Sequence, residues 1–282
     1  MSIKFDTKQV SLFAIFILLT LTLTLNHAYA TTIAVGSNPT DVVFDSHLNE
    51  IFVSNYDSGS GNTVSVISDA TNMVTEIITV GSGPAGVAFD SNKGEVFVAN
   101  EGSGTVSVIS DATNEVTANV TVGVGPVGVA FDSHLNEIFV SNFRSNTVSV
   151  ISDATNKVTA TIAVGSYPHG VAFDSNRREV FVANEGSGTV SVISDATNEV
   201  TANVTVGSNP VNVVFDSHLN EVFVSNYDSG SGNTVSVIPD ATNTVTETIT
   251  VGSGPYGGAF DSNKREVFVA NNVSGTVSVV SG

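Results

Sequence analysis

The sequence predicts an all-β chain folded as a six-bladed β-propeller of four-stranded antiparallel blades, on three observations. A segment of the type VGSNPTDVVFDSHLNEIFVSNYDSGSGNTVSVISDATN returns six times. Its landmark prolines, Pro39, Pro84, Pro126, Pro168, Pro210 and Pro255, advance in steps of 45, 42, 42, 42 and 45 residues, the period of a four-stranded blade. Each copy holds four runs of four to eight residues rich in Val, Ile, Phe and Thr, bounded by Gly, Asn, Asp and Ser clusters. Helical periodicity is absent, and 41% hydrophobic against 13% charged residues suits a single all-β core.

Each element of the first repeat follows from its residues. Thr40–Asp45 reads as strand A, Glu50–Asn55 as B, Thr63–Ser68 as C and Val74–Val80 as D. Strand C alternates, with Val64 and Val66 on one face and Thr63, Ser65 and Ile67 on the other. Apolar residues on both faces are expected where every sheet lies between two others. The C–D connection Asp69-Ala70-Thr71-Asn72 is a hairpin turn in which Asp bonds following backbone and Asn accepts a left-handed conformation. The A–B connection runs from Asp45 to Glu50 and recurs in every repeat, so its acids are read as turn formers. Odd repeats carry FDSHLNE there and even repeats FDSN(K/R)(G/R)E, so the ring looks like three copies of a two-blade unit.

The last repeat has strands A to C and stops at Gly282, while TTIAVG at 31–36 matches ATIAVG at 160–165. The N-terminal strand is therefore expected to complete the sixth blade and close the ring, leaving no free sheet edge. The propeller spans 31–282, with repeats starting near 37, 82, 124, 166, 208 and 253. Residues 1–30 read as a cleaved secretory signal: Lys4 and Lys8 precede an apolar run from Val10 to Leu25, and Ala28-Tyr29-Ala30 supplies a small-residue cleavage site. The expected product is secreted or cell-surface, monomeric and not inserted in the membrane after cleavage.

With 27 acidic and 9 basic residues the net charge is -18. Nucleic acid and anionic lipid need a positive surface and are not expected partners. No cysteine is present, which excludes disulfides, thiolate metal sites and cysteine nucleophiles. No G-x-S-x-G or H-E-x-x-H motif occurs.

FVSN at Phe52–Asn55, FVAN at Phe97–Asn100 and the following TVSVI, flanked by PxGVAFD and TATIAVG, resemble the YVTN-type β-propeller repeat of extracytoplasmic and surface-layer-type proteins. The resemblance covers residues 31–282 and implies a secreted or cell-surface propeller. Phe stands for that family's Tyr and Ser or Ala for its Thr, and many relatives have seven blades.

Three groups of polar residues invite a site and are read as structural. His47, His134 and His218 share one A–B position in alternate blades, but blades a third of a turn apart cannot bring three rings to one metal. Asp57 to Asn62 has too few carboxylates for calcium. The Asn that ends strand B in each repeat, Asn55 to Asn271, is assigned to local backbone and the B–C turn. No metal and no cofactor is expected.

The repeats differ mainly at the two positions after each landmark Pro: Thr40-Asp41, Ala85-Gly86, Val127-Gly128, His169-Gly170, Val211-Asn212 and Tyr256-Gly257. These begin strand A, the innermost strand, and so ring the channel mouth. The candidate ligand residues are Asp41, His169, Asn212 and Tyr256, with Arg144, Tyr56, Phe143 and Tyr227 as an outer rim. The expected function is a non-enzymatic binding or interaction scaffold of the cell envelope, its partner an envelope protein, a glycan or a small molecule. The alternative is a propeller enzyme of lactonase or lyase type with an axial active site.

Overall fold

A computed structural model describes residues 32–281; the expected secretory signal lies outside them. Twenty-three strands follow in chain order. Blade 1 is β1 (Pro39–Asp45), β2 (Glu50–Asn55), β3 (Thr63–Ser68) and β4 (Met73–Thr79). Blade 2 is β5 (Pro84–Asp90), β6 (Glu95–Asn100), β7 (Thr105–Ser110) and β8 (Glu115–Thr121). Blade 3 is β9 (Pro126–Asp132), β10 (Glu137–Asn142), β11 (Thr147–Ser152) and β12 (Lys157–Ala163), and blade 4 is β13 (Pro168–Asp174), β14 (Glu179–Asn184), β15 (Thr189–Ser194) and β16 (Glu199–Thr205). Blade 5 is β17 (Pro210–Asp216), β18 (Glu221–Asn226), β19 (Thr234–Pro239) and β20 (Glu247–Thr250); blade 6 is β21 (Pro255–Asp261), β22 (Glu266–Asn271) and β23 (Thr276–Ser281). Each sheet is an antiparallel meander in chain order. Among the described residues no helix is long and apolar enough to cross a membrane.

The strand boundaries read from the first repeat hold to within a residue, because turn chemistry marks them. In every blade the Asp that ends strand A accepts two backbone N–H bonds from its own turn; Asp45 Oδ1, for example, takes His47 at 2.7 Å and Leu48 at 3.3 Å. The turn residue before the strand-B Glu has positive φ throughout: Asn49, Gly94, Asn136, Arg178, Asn220 and Arg265. The C–D turn is left-handed at Asn72, Asn114, Asn156, Asn198 and Asn243.

In blades 1 to 5 strands B and C are buried on both faces, and β6 is buried along its whole length. The outer strand alternates instead, as in β8. The core lies between blades. Phe97, Val106 and Val108 of blade 2 pack on Ile138, Val140 and Ile151 of blade 3, and equivalent clusters join blades 1 to 2, 3 to 4, 4 to 5 and 5 to 6.

Asn55 ties this packing together. Its Nδ2 donates to Thr63 Oγ1 and Ser65 Oγ at 3.0 Å each, and its Oδ1 accepts from the Gly36 N–H at 3.0 Å. Asn226 does the same with Thr234, Ser236 and Gly207. The Asn series thus clamps side chains of strand C, and Asn55 and Asn226 also the link into their own blades, where the sequence had suggested a local B–C turn role. The link glycine is required: a Cβ on Gly123 would stand 2.6 Å from Asn142 Cγ.

The propeller has six blades, but the expected closure by residues 31–36 is not formed among the described residues. The sixth sheet has three strands, β21-β22-β23, and Thr32–Val35 are not in a strand. The uncovered blade faces agree with this. Among the described residues no apolar cluster joins blade 6 to blade 1: Val277 and Val279 are 61% and 53% exposed, whereas their counterparts Val106 and Val108 are fully buried. Val42 and Phe44 of blade 1 are likewise exposed. Among the described residues β23 is the outer strand of blade 6, so Val277 and Val279 lack the cover that a fourth strand and a following blade give their counterparts.

Candidate functional site

The positions after each landmark Pro gain their geometry from a β-bulge. Pairing of strands A and B shifts register between Pro39 and Asp41, and at the equivalent place in the other blades. An extra residue there bends the strand and re-aims its side chains. A cavity of about 680 Å³ opens at this end of the strands, lined by residues of all six blades, among them Asp41, His169, Asn212 and Tyr256. Four of the five residues chosen from sequence therefore share one cavity. Arg144 is not among its lining.

Arg144 belongs to a network at the rim. Its Nη2 donates to Glu101 Oε1 at 2.8 Å, and the Tyr56 hydroxyl donates to Glu101 Oε2 at 2.6 Å. The bond to Glu101, aided by burial, pushes the Tyr56 pKa up to about 12, so this hydroxyl keeps its proton. Glu101 and Glu185, both on B–C loops, line the cavity with Asp41. Burial raises the Glu185 pKa.

Asp41 is the most perturbed acid of the cavity. Its Oδ2 accepts from the Val87 N–H at 2.8 Å and its Oδ1 from the Val42 N–H at 2.9 Å. Burial outweighs these bonds and raises its pKa to about 6. The residue as a whole is exposed along the cavity wall, but its carboxylate lies within packed protein, and that local environment acts on the charge. Burial lowers the His169 pKa, which favours the neutral imidazole.

An unbroken run of rings crosses the mouth. Tyr167 stacks on Phe143 at 5.0 Å; Phe143 meets His169 edge-on at 6.1 Å; His169 meets Tyr256 at 5.9 Å; and Tyr256 meets Tyr227 at 5.3 Å. Sequence reasoning passed over Tyr167, Glu101 and Glu185 as site residues. The signal for Tyr167 was present: the residue before each landmark Pro is Asn38, Gly83, Gly125, Tyr167, Asn209 and Gly254, and all six have positive φ. Tyr167 alone places a bulky side chain in that left-handed conformation, a strain of the kind that collects at functional sites.

At the opposite ends of the strands the three turn histidines stay apart, as expected. His47 and His134 each meet an Asp of the next blade's C–D turn, Asp111 and Asp195, with Nδ1–Oδ2 distances of 3.2 Å. Asp45, His47 and Asp111 form one cluster of groups able to ligate a metal, and Asp132, His134 and Asp195 a second.

Residues 127–227 match the family described as YNCE-like beta-propeller. The chain resembles a YNCE-like propeller. That agrees with the YVTN-type repeat and with the propeller fold. Among solved structures, Kuenenia stuttgartiensis hydrazine synthase is similar, with a TM-score of 0.60 and 15% identity over 90% of this chain and 99% of that one. At such identity the likeness concerns the fold alone. No curated protein matches the chain.

Proposed function

We propose that the chain is an exported, non-enzymatic binding propeller of the cell envelope whose axial cavity takes a small organic cation with a flat face. One observation carries this reading: the positions where the repeats differ converge on a single cavity and furnish it with aromatic rings and carboxylates together. Asp41, Glu101 and Glu185 stand against one basic side chain, Arg144, already paired to Glu101. Aromatic faces attract cations, and more strongly where water is excluded.

The test is a thermal-shift and calorimetric panel of flat amines, matched neutral analogues and simple sugars. Amines should bind, and Asp41→Ala and Tyr256→Ala should each weaken them roughly tenfold or more. His218→Ala, at the far ends of the strands, should not. Affinity for the amine should rise from pH ~5 to pH ~7.5, because Asp41 ionises near 6, and Asp41→Asn should flatten that rise. Neutral analogues binding as tightly as amines would refute the cation reading.

A second reading, an enzyme of lactonase or lyase type, is favoured by the perturbed Asp41 and His169 sharing the cavity. Both oxygens of Asp41 are engaged by backbone N–H groups, which suits a fixed charge better than a proton carrier. Lactone hydrolysis by purified protein, abolished in Asp41→Asn, would favour the enzyme.

A further inference from the structure

We propose that the A–B loops of blades 1 and 3 each hold a divalent transition-metal ion of the Zn²⁺ class, completed by the C–D loop of the next blade. In the better-formed site a carboxylate oxygen from Asp132, a ring nitrogen of His134 and a carboxylate oxygen from Asp195 lie within 4.8 Å of one another. That spacing suits atoms bound at about 2 Å to a common centre. Asp132 is fully buried; its Oδ1 is taken by the His134 and Leu135 N–H groups, and its Oδ2 has no partner. Glu137 adds a second buried, unpartnered oxygen, Oε2. A buried carboxylate oxygen without a donor is costly, and a cation is the ligand that would satisfy it. The Asp45, His47 and Asp111 cluster repeats the arrangement, with Asp45 Oδ2 again buried and unpartnered.

The even blades show what the odd ones lack. Unpartnered oxygens recur at Asp90 and Asp174; there the turn carries a basic side chain of its own, paired with the strand-B Glu and not with the Asp oxygen. Lys93 Nζ lies 3.0 Å from Glu95 Oε2 and donates to the Asp153 carbonyl at 2.7 Å; Arg177 lies 3.5 Å from Glu179. In blades 1 and 3 the position of that Lys or Arg is held by Leu48 or Leu135, and the preceding Asn by His. The basic side chain is missing while a metal-ligating imidazole has been gained. Imidazole beside carboxylates selects a transition metal over Mg²⁺ or Ca²⁺. Neither cluster lies at the axial cavity, so this inference is independent of the proposed ligand.

The experiment is equilibrium dialysis of the metal-stripped full chain against Zn²⁺ at physiological salt, with Mg²⁺ as competitor. Saturable uptake of about two ions per chain is expected, one for each cluster. Leu135→Lys installs the even-blade turn at one site and should reduce uptake to about one; Leu48→Lys with Leu135→Lys should abolish it. Both variants should fold, because blades 2 and 6 fold with lysine at that position, and an unchanged circular dichroism spectrum checks this. Absence of saturable uptake by the wild type, full displacement by Mg²⁺, or uptake unaffected in the double variant would overturn the proposal. His134→Gln gives an independent arm and should also remove one ion.

Discussion

Tyr167 is the residue at which conformation and proposed function pull against each other. Asn or Gly fills its place in every other blade, and its φ of +53° costs an L-residue roughly 1–2 kcal/mol. Stacking on Phe143 at 5.0 Å returns on the order of 0.5–1.5 kcal/mol, so the two nearly cancel. Separating them needs two variants. Tyr167→Ala loses the stacking and keeps the strain, whereas Tyr167→Gly loses both, so the glycine variant should be more stable by about 1 kcal/mol in urea unfolding. That is the reverse of the usual Ala-over-Gly order. An alanine variant as stable as the glycine one would show that the backbone is unstrained there. Both should lose affinity for the amine ligand equally.

At the scale of the single blade, the Asn that ends strand B is the fastener. Asn142 donates to Thr147 Oγ1 at 3.1 Å and Ser149 Oγ at 2.9 Å, with Asn142 itself fully buried. Asn142→Ala removes both bonds and leaves a buried hydroxyl, at a cost of about 2–3 kcal/mol. Gly123→Ala should be comparably damaging, since the new Cβ meets the same Asn. Calorimetric unfolding of the two single variants and the double variant checks this: the damage should be sub-additive, because both act on one junction. Strictly additive losses would separate the clamp from the glycine.

Across the whole molecule, stability should fall from the middle blades towards the open seam. Blades 2 to 5 each pack on two neighbours, whereas among the described residues blades 1 and 6 each lack a cluster on one side. In a quasi-one-dimensional array, a missing interface lowers local stability directly. Phe181→Ala, fully buried in blade 4, should cost about 3–5 kcal/mol. Phe268→Ala, its half-buried counterpart in blade 6, should cost roughly 1–2 kcal/mol by the area it covers. Amide exchange should be slowest in β10 and β14 and fastest in β1 and β23; uniform protection around the ring would mean that the seam is sealed in solution.

What was legible in the sequence is what short-range chemistry controls. Strand limits, turn types and blade number follow from Val-rich runs and from Asp, Asn and Gly at fixed offsets, so β1 to β3 could be bounded from the first repeat alone. The placing of Asp41, His169, Asn212 and Tyr256 at one mouth was legible too, because they break an otherwise regular repeat. Tertiary structure decided the rest. It paired Arg144 with Glu101, joined His134 to an Asp 61 residues away, and left Val277 and Phe44 exposed where the matching TTIAVG had suggested closure. Each of these depends on the angle at which one blade packs on the next. That angle is set by side-chain volumes summed over a whole interface, and no single motif records it.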